Sequence, residues 1–239
     1  MVLASRDAER VEGARKRIGH LERTLALACD VRNREEIDLL LNLTLHNFGR
    51  VDIWINNAGY GLHDAVAEMD VAAARELFET NFFAALGGMQ AAIPAMLRQG
   101  GGVIINISSV AGHIPLPFGA AYSATKFALN AIGKAARFEL EGTGVHVMTV
   151  CPGYVATDFK RNMVRGRSRL HIASPARGIA AERVARAVLR GCLKRKREIV
   201  VPWRDRIFIT LYQLCPQIVE HAMARMVKDE ASERAASSK

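Results

Sequence analysis

A tyrosine and a lysine lie four residues apart in the segment YSATK, at Tyr122–Lys126. The residues around them have apolar side chains at helical spacing, and positions i and i+4 of a helix are neighbours. A cation beside a phenol favours its ionised form, so we expect Lys126 to lower the pKa of Tyr122 from about 10. A tyrosine activated in this way could donate and accept protons near neutral pH, as a general acid and base does.

Short apolar segments alternate along the chain with longer segments of helical periodicity. This alternation predicts an α/β fold, in which a doubly wound parallel sheet has helices on both faces and right-handed crossovers. The predicted strands are Val2–Ala4, Thr24–Cys29, Val51–Ile55, Val103–Ile107, Val145–Val150 and Ile199–Val201, and the predicted helices are Glu36–Phe48, Val71–Leu97, Ala121–Leu140 and Glu182–Leu193.

Half of the 239 residues are hydrophobic, which is enough for the core of a single α/β domain. We expect this domain to span residues 1–227, with a helical region at 203–227. The polar residues 228–239 are predicted to form a disordered tail. No window has about 18 uncharged apolar residues, and charges stand where a signal peptide needs an apolar core. We therefore expect a cytoplasmic protein, with membrane association not favoured.

The net charge of +9 is concentrated late in the chain: residues 160–206 contain 15 Lys and Arg against 3 Asp and Glu. Such a segment can attract anions, although a solvated basic surface is the simpler interpretation, and we do not expect nucleic-acid binding. The four cysteines are far apart and form no CxxC pair, so we predict neither a disulfide framework nor a metal site.

Small or polar residues follow four of the predicted strands. In such a sheet, ligands bind beyond the carboxyl ends of the strands, where the strand order reverses. Glycine and alanine there let a flat ligand approach the backbone, and asparagine can bridge neighbouring loops. The four segments are Asp30–Val31, NNAG at Asn56–Gly59, Ser108–Ser109 and CPGYVATD at 151–158.

These motifs resemble, in order and spacing, the short-chain dehydrogenase/reductase family. The match covers nearly the whole chain, through NNAG, ETNFFAAL, NISSVAG, YSATK and PGYVAT. The resemblance implies an oxidoreductase that interconverts a carbonyl and a secondary alcohol, with an Asn-Ser-Tyr-Lys tetrad. Tyr122 would be the acid and base, Lys126 would also bind the nicotinamide ribose, and Ser109 would hold the substrate oxygen. Asn81 would hold a water that links Lys126 to solvent.

The resemblance also implies a nicotinamide dinucleotide site. Asp30 would meet the adenine amino group beside Val31, and Thr157 would hold the carboxamide. A 2′-phosphate calls for cations and hydroxyls, and the first predicted strand ends in Ser5 and Arg6, with no acidic residue before Asp7, so NADP(H) is favoured over NAD(H). The expected cofactor-binding residues are Ser5, Arg6, Asp30, Val31, Asn57, Ala58, Gly59, Tyr122, Lys126, Pro152, Gly153, Val155 and Thr157.

The chain departs from the family pattern at its start. Met1 falls where the family's second strand begins, so the first strand and the glycine-rich turn that carries the pyrophosphate are missing. That strand is central in the sheet, and its loss should leave two inner edges unpaired. We favour a truncated reductase. The alternatives are a non-catalytic binding or regulatory module and a chain that still binds cofactor weakly.

The substrate segment of the family corresponds to residues 158–180, which are basic, and the apolar 203–227 region would close over it. This combination suits a small molecule with lipid-like or acyl character. A surface loop beside a helix in an oligomer or membrane contact explains the pattern equally well. The long predicted helices resemble those that form the family's contacts, so we expect a homo-oligomer, either a dimer or a tetramer.

Overall fold

A computed structural model describes residues 1–168 and 178–237, with side chains described up to 229. Residues 169–177, which belong to the predicted substrate segment, lie outside the described residues. The strands of the described chain are β1 (Val2–Ser5), β2 (Leu25–Ala28), β3 (Ile53–Asn56), β4 (Leu62–His63), β5 (Gly102–Ile107), β6 (Val145–Pro152), β7 (Val155–Ala156), β8 (Val164–Arg165), β9 (Ile179–Ala180) and β10 (Glu198–Val201).

The helices cover both faces of the larger sheet. All four predicted helices and all six predicted strands are present, with boundaries shifted by a few residues. The α-helices are α1 (Ala8–Ile18), α2 (Arg34–Phe48), α3 (Val71–Phe78), α4 (Ala84–Arg98), α5 (Ala120–Glu139), α6 (Ala181–Leu193), α7 (Arg204–Leu214) and α8 (Pro216–Ser237), and a π-helical turn at Glu79–Phe83 joins α3 to α4.

Two differences from the predicted elements have clear physical causes. Helix α1 is absent from the predictions because its sequence, AERVEGARKRI, is mostly charged and buries only Val11. Helix α8 continues to Ser237, through most of the segment predicted as a disordered tail. That segment is rich in Ala, Glu, Arg and Lys, which have high helix propensity, and this favours continuation of the helix.

The strands form two main parallel sheets. Strands β10, β6, β5 and β3 pair in that order, and β1 pairs with β2 in a separate two-stranded sheet. Within the described residues, β1 and β3 do not pair with each other. In the part of the chain that the structure describes, the inner edges of both strands are therefore open, as predicted.

Layers of apolar side chains hold α2, α4 and α5 on one face of the four-stranded sheet and α6 on the other. Glycines permit close approach at two points. A Cβ on Gly88 of α4 would lie 2.5 Å from Asn56 Oδ1, and one on Gly133 of α5 would lie 3.1 Å from Thr149 Oγ1. These contacts set α4 and α5 directly over the sheet, and α5 then carries YSATK to the carboxyl ends of β5 and β6. No described helix is both long enough and apolar enough to cross a membrane.

The open edge of β3 generates a prediction about self-association. Ile53 and Ile55 are 46% and 52% exposed beside this edge, and an exposed apolar edge is a template for pairing with another chain. Replacing both with lysine should reduce concentration-dependent aggregation of the 239-residue chain, as measured by sedimentation velocity. The matched control is Leu39→Lys, which is 57% exposed on α2, away from the edge. Equal effects of the two changes would contradict the role of the edge.

Candidate functional site

Tyr122 and Lys126 lie in the first two turns of α5. Lys126 is 4% exposed, and its Nζ donates a hydrogen bond of 2.9 Å to the carbonyl oxygen of Ile107, at the end of β5. The same Nζ lies 5.7 Å from the centre of the Tyr122 ring. The predicted proximity of the phenol and the ammonium is therefore present.

The direction of the tyrosine's pKa shift is opposite to the one predicted. Burial raises the pKa of Tyr122 to about 12, against the opposing effect of a hydrogen bond with Ser109. Burial also lowers the pKa of Lys126 to about 8. The expected lowering of the pKa of Tyr122 is wrong for this structure, because burial, which removes the phenolate from water, is the largest effect on that pKa. The tyrosine is protonated at neutral pH and can serve as a proton donor.

Ser109 lies just beyond β5, on the side of the site next to β6. Its Oγ accepts from the backbone N–H of Ala111 at 3.1 Å and donates to the carbonyl of Pro152 at 3.4 Å. Because β5 and β6 are neighbouring parallel strands, the turn after β5 and the loop after β6 lie side by side. The hydroxyl therefore joins these two segments next to the Tyr122 side chain.

Asn81 occupies the centre of the π-helical turn and is 1% exposed. Its Oδ1 accepts from the Tyr60 N–H at 3.0 Å, and its Nδ2 donates to the Tyr60 carbonyl at 2.9 Å. A further bond of 3.2 Å joins Nδ2 to Thr125 Oγ1, one residue before Lys126. The π-helical turn interrupts the predicted helix Val71–Leu97 at Asn81, and the Asn81 side chain ties the loop after β3 to α5. Its proposed water relay stays a prediction.

The loop after β3 brings Asn57, Ala58 and Gly59 to the surface beside Lys126. A Cβ on Gly59 would lie 3.0 Å from Asn81 Oδ1 and 3.6 Å from Lys126 Nζ. A side chain at this position would crowd both polar groups, whereas glycine leaves room for a flat ligand to approach the loop.

The residues expected at the adenosine end lie at the ends of β1 and β2. Ser5 ends β1, and Arg6 is exposed directly after it. The Asp30 carboxylate is bound by the Arg32 guanidinium, which lowers the pKa of Asp30, with a smaller contribution from Arg6. Val31 is half-buried in the same turn. Asp30 is therefore engaged by a cation, a contact that the sequence analysis did not include.

The loop after β6 carries the remaining predicted cofactor residues. Pro152 is the last residue of β6 and is buried, and Gly153 donates its N–H to the carbonyl of Val201. Val155 lies in β7, which pairs with β9, and Thr157 is exposed just beyond it. All the predicted catalytic and nicotinamide-side residues thus lie at the carboxyl ends of the four-stranded sheet. Those of the adenosine side lie at the same ends of the two-stranded sheet.

Apolar side chains of the segment after β7 cover Tyr122. The Phe159 ring is centred 5.6 Å from the Tyr122 ring, and Phe159 and Met163 both pack against the backbone of Gly61. The buried carboxylate of Asp64 holds the segment in place by accepting from the Ser168 N–H at 3.0 Å. Neither Phe159 nor Asp64 belongs to a motif with a distinctive spacing, so the sequence alone does not identify them.

The family model for short chain dehydrogenases matches residues 1–168, so the chain belongs to the short-chain dehydrogenase/reductase family. It is 35% identical over 205 residues to dehydrogenase/reductase SDR family member 7B of Xenopus tropicalis, covering 84% of this chain and 66% of that protein. It is 30% identical to a dehydrogenase/reductase SDR family protein 7-like of Drosophila melanogaster, over 98% of this chain and 75% of that one.

The fold is also that of solved family members. A short-chain dehydrogenase/reductase from Burkholderia phymatum, solved in complex with NAD, superposes with a TM-score of 0.77 at 24% identity, over 91% of this chain and 85% of that chain. The chain spans about two thirds or less of the length of several curated relatives, with 66%, 61% and 61% covered in three of them.

The buried lysine generates a prediction about pH. The pKa of Lys126 is about 8 in the folded chain and about 10.5 in the unfolded chain, so between these values the unfolded chain binds more protons. The free energy of unfolding should therefore rise with pH from 8 towards 10, by up to about 2–3 kcal/mol. Above pH 10 the raised pKa of Tyr122 acts in the opposite direction, because the unfolded tyrosine loses its proton first.

Urea unfolding at a series of pH values measures this rise. Lys126→Met should remove it, whereas Lys16→Met, at an exposed position on α1, should keep it. A rise of equal size in all three proteins would show that another group is responsible.

Proposed function

We propose that the protein is an NADP(H)-dependent oxidoreductase that interconverts a carbonyl and a secondary alcohol, with Asn81, Ser109, Tyr122 and Lys126 as its tetrad. The observation that carries the proposal is that the Ser109 hydroxyl lies beside a protonated Tyr122 at the end of β5, with Lys126 buried behind them. Two hydroxyl groups side by side at the end of a parallel sheet can hold one carbonyl oxygen between them.

Bound nicotinamide would supply or accept the hydride at the substrate carbon. In reduction, Ser109 donates a hydrogen bond to the carbonyl oxygen, and Tyr122 gives its hydroxyl proton to that oxygen as the alcohol forms. Lys126 stabilises the phenolate that remains, because its ammonium lies beside the ring. In oxidation the same groups work in reverse. Phe159 and Met163 would exclude water from the reacting atoms.

The two ends of a dinucleotide find suitable partners in this chain. At the nicotinamide end, Asn57, Ala58 and Gly59 offer exposed backbone, and Pro152, Gly153, Val155 and Thr157 form the facing loop. At the adenosine end lie Ser5, Arg6, Asp30 and Val31. The pyrophosphate would bind between these ends, where the described residues leave the edges of β1 and β3 unpaired. Tight binding therefore requires a strand and a glycine-rich turn in that gap.

The preference for NADP(H) is supported by the charges around the end of β1. Arg6 is exposed there. Arg6 and Arg32 both lie close enough to Tyr60, in the loop after β3, to act against the burial that raises its pKa. Asp7, the nearest carboxylate after β1, caps α1 by accepting from the Arg10 N–H at 2.9 Å. A 2′-phosphate would meet the exposed Arg6 guanidinium, with Arg32, which is paired with Asp30, adding positive charge nearby, whereas a ribose diol would find the Asp7 carboxylate already engaged.

We further propose a lipid-like or acyl substrate and a homo-oligomer in the cytoplasm. Apolar Phe159 and Met163 lie near Tyr122, and cationic side chains such as Lys160 and Arg165 are exposed in the same segment, which suits an apolar molecule with an anionic part. Exposed Phe127 and Phe138 on α5 favour a helix contact with a second copy.

A second candidate is a non-catalytic binding or regulatory module. The open edges of β1 and β3 favour it, because two parallel edges facing one gap can accept a strand from another chain. The tetrad argues against this candidate, since a scaffold has no need to bury Lys126 beside Tyr122.

Cofactor titration separates the two candidates. We expect NADPH, followed by its fluorescence, to bind weakly to this chain, and tightly to a chain extended ahead of Met1 by a glycine-rich strand-turn-helix. In the extended chain, Arg6→Ser should weaken NADPH binding about 10-fold, the typical value of a charge-assisted contact to phosphate, and leave NADH binding unchanged. The control is Arg17→Ser, at an exposed position in the last turn of α1. Absence of binding in both chains would favour the module.

Removal of one hydroxyl tests the chemistry. Tyr122→Phe in the extended chain should lower kcat for ketone reduction by about 10²–10⁴, the usual contribution of a general acid, with little change in the Kd for NADPH. Aliphatic ketones, steroid ketones and β-ketoacyl thioesters form the substrate panel. The control is Tyr154→Phe, which removes a hydroxyl at a 37% exposed position. Retention of full activity by Tyr122→Phe would exclude the proposed acid.

A further inference from the structure

Three side chains from distant parts of the sequence converge beside the candidate site. His113 follows the turn after β5, Cys151 lies near the end of β6, and Glu198 begins β10. The Nε2 atom of His113 is 3.4 Å from Cys151 Sγ and 3.4 Å from Glu198 Oε2. All three atoms lie within 4.8 Å of one another, and His113 and Cys151 are buried.

Parallel pairing brings two of these residues to one face of the sheet. Glu198 of β10 lies opposite Thr149 of β6, and Cys151 comes two residues after Thr149. Side chains two apart on a strand share a face, so the carboxylate and the thiol point to the same side. The turn that carries Ser109 brings His113 over them from β5.

A single hydrogen bond at His113 Nε2 cannot satisfy all the polar groups around this nitrogen. This nitrogen either donates one hydrogen or accepts one, yet a carboxylate, a thiol and the Nδ2 of Asn130, also at 3.4 Å, all approach it. Asn130 donates from Nδ2 to the Gly112 carbonyl. Its buried Oδ1 has no hydrogen-bond partner among the described residues, so hydrogen-bonding capacity remains unmet next to the cluster.

The two separations from His113 Nε2 fit a tetrahedral metal ion, and the third pair, Cys151 Sγ and Glu198 Oε2, lies within 4.8 Å. Zinc binds imidazole nitrogen at about 2.0–2.1 Å, thiolate sulfur at about 2.3 Å and carboxylate oxygen at about 2.0–2.2 Å. Tetrahedral angles then separate nitrogen from oxygen by about 3.3–3.5 Å and nitrogen from sulfur by about 3.5–3.6 Å. The two measured separations of 3.4 Å agree with these values within about 0.2 Å. We propose that His113, Cys151 and Glu198 bind one Zn²⁺ ion.

The chemistry of the three ligands favours zinc over other common ions. Magnesium and calcium prefer all-oxygen sites, whereas nitrogen, sulfur and one carboxylate suit zinc. On binding, the Cys151 thiol releases its proton to solvent, and neutral His113 binds through the Nε2 lone pair. The thiolate and carboxylate then balance the two charges of the ion. Arg206 remains hydrogen-bonded to Glu198 Oε1 and orients the carboxylate from outside.

Such an ion would join the segments that position Ser109 and the loop after β6. His113 lies four residues after Ser109, and Cys151 directly precedes Pro152, whose carbonyl accepts from Ser109 Oγ. The ion would crosslink three elements at this end of the sheet. Zinc binding at this cluster can be measured without any enzymatic assay. Residues 113, 151 and 198 show no metal-binding spacing, so the sequence alone does not predict this site.

Metal titration of untagged, chelator-treated protein tests the proposal. Calorimetry should show one equivalent of Zn²⁺, and Co²⁺ in its place should give a thiolate-to-cobalt charge-transfer band together with the absorption of a tetrahedral ion. Cys151→Ser should abolish the band and weaken zinc binding at least about 10-fold, while Cys192→Ser on α6 should keep both. Zinc should raise the Tm of the native chain and of Cys192→Ser, but not of Cys151→Ser.

A second variant distinguishes the loss of a zinc ligand from a folding defect. Glu198→Gln keeps the size of the side chain and should retain the cobalt–thiolate band at lower affinity, because only one ligand is weakened. Less than one equivalent of zinc in the native chain, or an unchanged cobalt spectrum in Cys151→Ser, would overturn the proposal. The cluster would then be a hydrogen-bonded group around His113 alone.

Discussion

The buried ammonium of Lys126 is the constraint on which the arrangement of the site depends. Burying a charge is costly unless it is hydrogen-bonded, and the Ile107 carbonyl at the end of β5 supplies the bond. Gly59 lies beside the ammonium, and because it has no side chain it leaves room for the amide of Asn81. Asn81 reaches this place from the π-helical turn at Glu79–Phe83. Strand, loop and helix thus each supply one feature that this single charge requires.

Sequence reasoning locates these residues but not their electrostatics. The i, i+4 relation brings Tyr122 and Lys126 together on any helix, so their proximity follows from local geometry alone. The sign of the tyrosine's pKa shift depends on how much water the surrounding loops exclude, and Phe159 and the turn at Ser109 do this from positions 37 and 13 residues away in sequence. The five-residue pattern YSATK contains no information about residues so far away in sequence.

The same distinction holds for the fold. Apolar segments predicted every strand of the larger sheets, because buried strands need continuous apolar side chains. The charged helix α1 escaped prediction, since it contributes little to the core. The gap between β1 and β3 was predictable from the family's strand order, and the structure shows what the gap leaves in place. The strand ends on both sides still converge, with Arg6 and Arg32 close enough to affect Tyr60 across it.

The polar groups between α5 and the sheet follow from this convergence. Asn56 donates from its amide to Asn106 on the neighbouring strand, and Gly133 of α5 allows the helix to lie directly over Asn106 and Thr149. A layer of this kind must satisfy its own hydrogen bonds, because water is excluded from it. It does so around Asn106, but around His113 three groups compete for one nitrogen. Hydrogen bonds cannot satisfy every polar group around His113, and the proposed metal ion would bind three of them. This position lies where β5, β6 and β10 meet.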